Sequence, residues 1–469
     1  MWTSLQFEEP MLTTEHNHSN SDTRIQVTKV RQAMKERAAT SKERPGQIFA
    51  AGVSQTTDNI KAELGRPDSI KRAIRYTQRG QLPTEPKDIK DFVITNEWTK
   101  TSGSLQFLIH DSGPMVQRRV IVFASNECMR HLATQSTCLV DGNFQMAPNI
   151  FSQLYIVRAS LGESAVTCVY ALLPGKSQDS YEEAFQAIVC RSEELGFSVD
   201  PVNVHMDYEQ AAMNAAKNIF GDHITCKGCF YHLTQSSWRK IQSLGLKELY
   251  QTYDNFKHFC GMMGGLAFLP PTEFSAGMKY LQEIATPEAQ PLIDYFDSNY
   301  VSGTFRSVLR PSQQATQMNT VRIRRMAPKY GIEQWNVHEA TINGGHRTNN
   351  FFEAWNNSFS HAVGHSHPSL WRLFSHIMED EAISRLQILQ EARGCPPQKR
   401  VKRVTSQLQE RLQRMCQSRI SNSKSIEEFL QGIGHCIRTV ENGKEVIENF
   451  EDGRLIARRI NGIAQVVVD

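Results

Sequence analysis

Nothing in this chain approaches the apolar run that a helix needs to cross a membrane, which removes helical membrane proteins from consideration. Its polar opening, MWTSLQFEEPMLTTEHNH, lacks the apolar core of a signal peptide. Cysteine is missing before Cys128. The ten present are scattered, as expected of free thiols in a reducing compartment rather than a disulfide framework. Internal repeats and long low-complexity tracts are also absent. The net charge is only +3, too small by itself to argue for a polyanionic partner. What is present is an ordinary soluble composition, 40% hydrophobic and 22% charged, over 469 residues, enough for more than one structural unit.

The charge is unevenly spread. From Arg24 to Lys90 there are 15 Lys and Arg against 7 Asp and Glu, and from Cys395 to Arg419 there are 7 against one. Such clusters neutralise phosphates, although a solvated helix face is the commoner explanation for any one charge run. In the second block Val404, Leu408, Leu412 and Met415 recur at helical spacing, so one side of that helix is expected to pack. Lys399, Arg400, Lys402 and Arg403, just after Pro396-Pro397, form a nuclear-localisation candidate. Arg310, Arg322, Arg324, Arg325 and Lys329 make a third basic edge, read either as a DNA-channel lining or as a capped surface helix.

Three acids stand at the lips of expected elements: Asp141 in STCLVDGNFQ, Asp207 in VNVHMDYEQAA and Glu353 in GGHRTNNFFEAWN. A hydrophobic run leads into each aspartate, so a parallel or mixed sheet can bring the two together. The glutamate opens a later helix whose stripe Phe352, Trp355, Phe359 and Val363 would dock on that sheet. Converging carboxylates suit a pair of Mg²⁺ or Mn²⁺ ions, which take oxygen ligands and can clamp an in-line phosphoryl displacement. Plainer readings stand beside this one. Asp141-Gly142 is a good hairpin turn, Asp207 with Gln210 reads as a capping box, and Asn350 with Glu353 makes the same pattern.

Along the chain, residues 1–95 read as basic and helical after the first 22. VIVFAS is a strand and NECMRHLA a short helix. Three strands follow, STCLVDGNF, FSQLYIVRAS and SAVTCVYALLP, then the helix SYEEAFQAIVCRSEELG stopped by Gly196. Strand VNVHM, helix EQAAMNAAKNIFG and a strand in HITCKGCF complete the series. Residues 241–344 read as a helical insertion, 345–385 as the helix bearing the third acid, and 386–469 as a basic helical region.

The strings DGNF at Asp141, D-x-E-x-A from Asp207, GCFYH from Gly228 to His232 and TNNFFE ending at Glu353 together resemble the Mutator-like (MULE) transposase family. The resemblance runs from about Val120 to about Asp380. It implies an α/β, RNase H-like mixed-sheet core interrupted by an all-helical insertion, with Asp141, Asp207 and Glu353 as a DDE triad holding two Mg²⁺ or Mn²⁺ ions. Cys229 and His232 become auxiliary residues, His232 with a titration range suited to proton transfer near neutral pH. The implied activity is cleavage at transposon ends followed by attack of the freed 3′-hydroxyl on target DNA. Partners would be terminal inverted repeats and target duplex, with a homodimer or higher assembly and nuclear location. A catalytically silent, domesticated nuclear DNA-binding regulator is the alternative.

Zinc is not expected. His223, Cys226, Cys229 and His232 are packed into ten residues, too close to wrap a tetrahedral ion. His16 and His18 resemble the end of a FLYWCH-type finger that often precedes this core, but no cysteine stands before them. The expectation is a finger remnant over residues 1–22.

Overall fold

The computed structural model describes residues 22–95, 97–310, 320–345, 347, 350–395, 397, 403–437, 449–451 and 454–456. His16, His18, Lys399, Arg400 and Lys402 lie outside the described residues. The chain divides into two compact units, one up to Glu85 joined by Leu370–Arg372, the other from Pro86 on.

The first unit holds helices α1 (Asp22–Thr40), α2 (Pro45–Ser54), α3 (Asp58–Glu63) and α4 (Pro67–Arg79). Proline opens α2 and α4, where its fixed φ suits a first turn and its missing N–H costs nothing. Val27, Met34, Ala38, Ile48, Leu64, Ile70 and Ile74 make its core. The basic residues of this unit lie mostly on the outside of that cluster.

The second unit is built on seven strands: β1 (Leu108–Asp111), β2 (Ile121–Phe123), β3 (Thr137–Asn143), β4 (Gln153–Leu161), β5 (Ser164–Leu173), β6 (Asn203–Met206) and β7 (Thr225–Gly228). Their order across the sheet is β1-β2-β5-β4-β3-β6-β7. The pairs from β1 to β3 are antiparallel, whereas β3–β6 and β6–β7 are parallel. Parallel neighbours need crossovers, supplied by α6 (Gln178–Glu194) and α7 (Gln210–Phe220). β4 and β5 are buried along nearly their whole length, which explains the almost unbroken apolar run of β5. α5 (Asn126–Ala133), α6 and α7 contribute Met129, Phe185 and Met213 to the core shared with the sheet.

After α8 (Phe230–Ser243) come α9 (Lys247–Thr252), α10 (Asp254–Gly265), α11 (Phe274–Ile284) and α12 (Gln290–Phe296). Then the block departs from the all-helical expectation. β8 (Thr304–Arg310) and β9 (Thr320–Met326) form an antiparallel hairpin; β9 alternates Val321 and Ile323 with Arg322 and Arg324, and Thr304, Phe305, Val308 and Thr320 add residues suited to strands. α13 (Ile332–Trp335) and α14 (His338–Ile342) follow, then α15 (Asn350–Val363), α16 (Leu370–Glu391), α17 (Arg403–Ile420) and α18 (Ile426–Gly434). A short β pair, Asn449–Glu451 with Arg454–Ile456, adds strand to the C-terminal region read as helical. Leu412 and Met415 of α17 are buried, as the stripe required.

α10 and α18 meet backbone to backbone. A Cβ on Gly261 would come within 2.6 Å of the Ile437 carbonyl oxygen, and it would overlap that of Gly434 as well. Main chain cannot rotate aside as a side chain can. Gly261→Ala is therefore expected to cost about 1–3 kcal/mol, read as a lowered unfolding midpoint. An unchanged midpoint would show that the helices separate freely.

Candidate active site

β3 and β6 run parallel with Thr137 opposite Asn203 and Leu139 opposite His205. Two residues further on, the same register sets Asp141 beside Asp207 at the C-terminal ends of both strands. Asp141 and Gly142 are not a turn; they pair with Ile156 and Tyr155 of β4. Nor is Asp207 a cap, since α7 starts after Glu209 and has no side-chain cap bond. The two plainer readings of these aspartates therefore fall. A Cβ on Gly142 would meet the amide end of the Gln153 side chain.

Asp141 accepts a bond from the Gly142 N–H at 3.0 Å and a longer one from Asn356 Nδ2 at 3.4 Å. Asn356 in turn accepts from Asn143 Nδ2 at 2.7 Å, tying α15 to the end of β3. Burial, then the neighbouring charge of Asp207, pushes the Asp141 carboxyl up to about 7. His232, in the first turn of α8, puts Nδ1 at 2.6 Å from Asp207 Oδ1. The two atoms are close but not aligned as a hydrogen bond, and neither has another partner. Burial alone would lower the His232 pKa; Asp207 and Cys229 outweigh it and carry it up to about 11. That shift favours the imidazolium form beside the Asp207 carboxylate.

The third acid sits on α15, one turn before Asn356, and its side chain lies outside the described residues. The helix itself is firmly held. Phe352, Trp355, Phe359 and Val363 are all buried, as the stripe required. Trp355 Nε1 and Tyr170 OH both donate to Asp380 Oδ2, at 2.9 and 2.6 Å, linking α15 and α16 to β5.

Beyond the aspartates, the cleft is lined by Phe144, Gln153, Tyr155, Lys176 and Glu209. Glu209 accepts from Tyr181 OH at 2.9 Å and pairs with Lys176 Nζ at 3.2 Å. Sequence reasoning assigned these residues no role, although Glu209 stood inside the quoted D-x-E-x-A string. Lys176 also lies 4.2 Å above the Phe144 ring. It is half-exposed and supplies a cation at the mouth.

As to metals, two adjoining carboxylates, the charge of one raising the proton affinity of Asp141, form a donor set that a hard divalent cation would relieve. The fit stands on that pair alone, because among the described residues no three His, Cys, Asp or Glu side chains gather around one point. The four clustered His and Cys positions do not converge either. His223 Nε2 lies 2.7 Å from Asp200 Oδ1, and the buried Cys226 thiol faces the Met213 carbonyl. Of the expected DNA-binding residues, Arg322, Arg324 and Arg325 are on β9, not on a helix, and Arg403 is exposed at the start of α17.

The raised carboxyl has a stability consequence. An unfolded aspartate ionises near 4, so between about pH 4 and 7 the unfolded chain gives up a proton that folded Asp141 retains. The stability contribution is full below pH 4 and is lost as pH rises through 7. Discounted for partial exposure, the loss is on the order of 2 kcal/mol. Asp141→Asn lacks this group, so without divalent ions its Tm should exceed wild type at pH 8 but not at pH 4. Equal Tm values at pH 8 would refute the raised Asp141 carboxyl.

No model of a known protein family matches this chain, and no curated protein matches it. Among the described residues no helix is long and apolar enough to cross a membrane.

Proposed function

We propose that this chain is a metal-dependent DNA transposase of the Mutator-like DDE type, cutting at transposon ends and transferring the cut strand to target duplex. The observation that carries this reading is the pair Asp141 and Asp207 on adjoining parallel strand ends, with Asp141 holding its proton near neutrality. Support comes also from the order β5-β4-β3-β6-β7, in which three antiparallel strands continue into two parallel ones joined by helices. That is the order of an RNase H-like sheet.

On this reading Asp141, Asp207 and Glu353 would be the residues that hold the cations. Two bound Mg²⁺ or Mn²⁺ ions would supply an activated water and offset charge on the attacking and leaving oxygens. Asn356 orients Asp141 Oδ2, and the Asn143 bond fixes Asn356. His232 positions Asp207 and offsets part of its charge while no cation is present. Lys176, paired to Glu209, offers a phosphate contact at the cleft mouth. Nuclear location, a paired assembly and recognition of terminal repeats belong to the same proposal, carried by the sequence resemblance.

The test is substrate choice in Mn²⁺. Duplex DNA and an RNA–DNA hybrid of one sequence are offered at equal concentration, and products are resolved by strand. Cleavage of the DNA duplex with strand transfer is the expected result. Preferential cutting of the RNA strand would replace a transposase with an RNA-processing nuclease on the same kind of fold.

A further inference from the structure

From residue 298 to residue 332 the chain has six basic residues and no Asp or Glu. The middle of this stretch is the β8–β9 hairpin, whose two strands pair with one another and, among the described residues, with no other strand. Every hairpin side chain the structure describes is exposed, Phe305 at 72% and Ile323 at 68% included. A two-stranded ribbon with solvent on both sides cannot stand on core burial. Its sequence makes matters worse. Arg306 is directly opposite Arg324 in the register, and like charges so placed are destabilising. No acid within the stretch is available to offset them.

A ribbon built this way gains stability once an anion lies along it. We infer that the β8–β9 hairpin is a DNA-binding arm, with Arg306 and Arg324 astride the phosphates of a duplex groove. Dimensions agree with that partner. Seven residues per strand at ~3.4 Å each span roughly 24 Å, about seven base-pair steps along one DNA strand. The major groove of B-DNA admits a two-stranded ribbon. Arg325 is anchored by donating Nε–H to the Ser302 carbonyl at 3.1 Å, which holds the base of the arm. This inference replaces the helical basic edge expected from sequence and adds Arg306, which that expectation omitted. It shares with the proposed function only the class of partner.

The experiment measures affinity of the full chain for a duplex DNA as a function of salt, in wild type and in Arg306→Gln/Arg324→Gln. The slope of log K against log salt should shrink by about two in the double variant. Affinity at low salt should fall tenfold or more. Thermal stability should hold or rise, because the exposed repulsive pair is gone. An unchanged slope overturns the arm even if the wild type cuts DNA. A reduced slope in a protein that never cuts leaves the arm standing and removes the transposase reading. Tighter binding of double-stranded RNA of equal length, with the same loss in the variant, would overturn duplex DNA as the partner.

Discussion

Asp207→Asn is expected to lower metal-dependent DNA cleavage by at least about a thousandfold while leaving duplex affinity within about twofold of wild type. Asparagine keeps the shape of the side chain but removes the charge that faces His232 and that, on the proposed reading, would hold the cations. Without it, only one carboxylate of the adjoining pair is left to hold the ions. A thousandfold loss corresponds to about 4 kcal/mol of transition-state stabilisation, a modest demand for removal of one ligand of a doubly charged ion. DNA affinity should survive because its charges reside elsewhere, on arginines and lysines spread over the helices and the hairpin. Cleavage and binding are read on one preparation, by strand products and by anisotropy. Parallel loss of both in a folded variant would mean that Asp207 supports structure or DNA contact, not chemistry.

Arg119→Ala is expected to destabilise the second unit by about 3–5 kcal/mol. The guanidinium is completely buried. It donates to both oxygens of Asp111 at 2.7 Å, and from Nη1 to the carbonyls of Ile89 and Phe92 at 3.0 and 2.9 Å. Its carbon centre lies 4.2 Å over the Phe92 ring. Truncation would strand a carboxylate and two carbonyls together. Lysine would not repair this, since a point charge cannot reproduce the fork that meets Asp111. At 2–4 °C per kcal/mol for a unit of this size, Tm should drop by roughly 10 °C. A drop of only a degree or two would show that water reaches the vacated site and satisfies those groups.

Neither Arg119 nor its network had a signal in the sequence. QRRV looks like surface, and only the fold brings the loop at Ile89 and Phe92 over it. Asp380 is similar: a lone acid in a helix, it becomes the shared acceptor that fastens α15 to β5 once Trp355 and Tyr170 are near. Burial moves its carboxyl upward as well. What could be read was local. The three strands around Asp141 and the helix ending at Gly196 declare themselves by period and by stop signals, and all four are present. The apolar stripe of α15 was equally plain. β1 was missed because LIHD is too short and too polar to show a period. The hairpin was missed because its strands are joined by PSQQATQMN, with none of the tight-turn pairs that announce such a connection.

The same limit governs the site. Sequence order placed two aspartates at strand ends, and the parallel register of β3 and β6 makes them neighbours. It gave no warning that His232 Nδ1 would lie 2.6 Å from Asp207 Oδ1, because that depends on the length of β7 and the point where α8 begins. Nor did it foresee the Lys176–Glu209–Tyr181 chain, which joins β5's exit, α6 and α7 only in three dimensions.

The central claim is that the carboxylate pair performs metal-dependent phosphoryl transfer on DNA. Its most direct test is nicking of supercoiled duplex carrying the neighbouring terminal repeats, with wild-type chain in Mn²⁺ and in EDTA at pH 8. The expected result is conversion to nicked and strand-transferred products in Mn²⁺ alone. Tight binding of that DNA with no cleavage in Mn²⁺ or Mg²⁺ would contradict the account, leaving a DNA-binding regulator that keeps the fold.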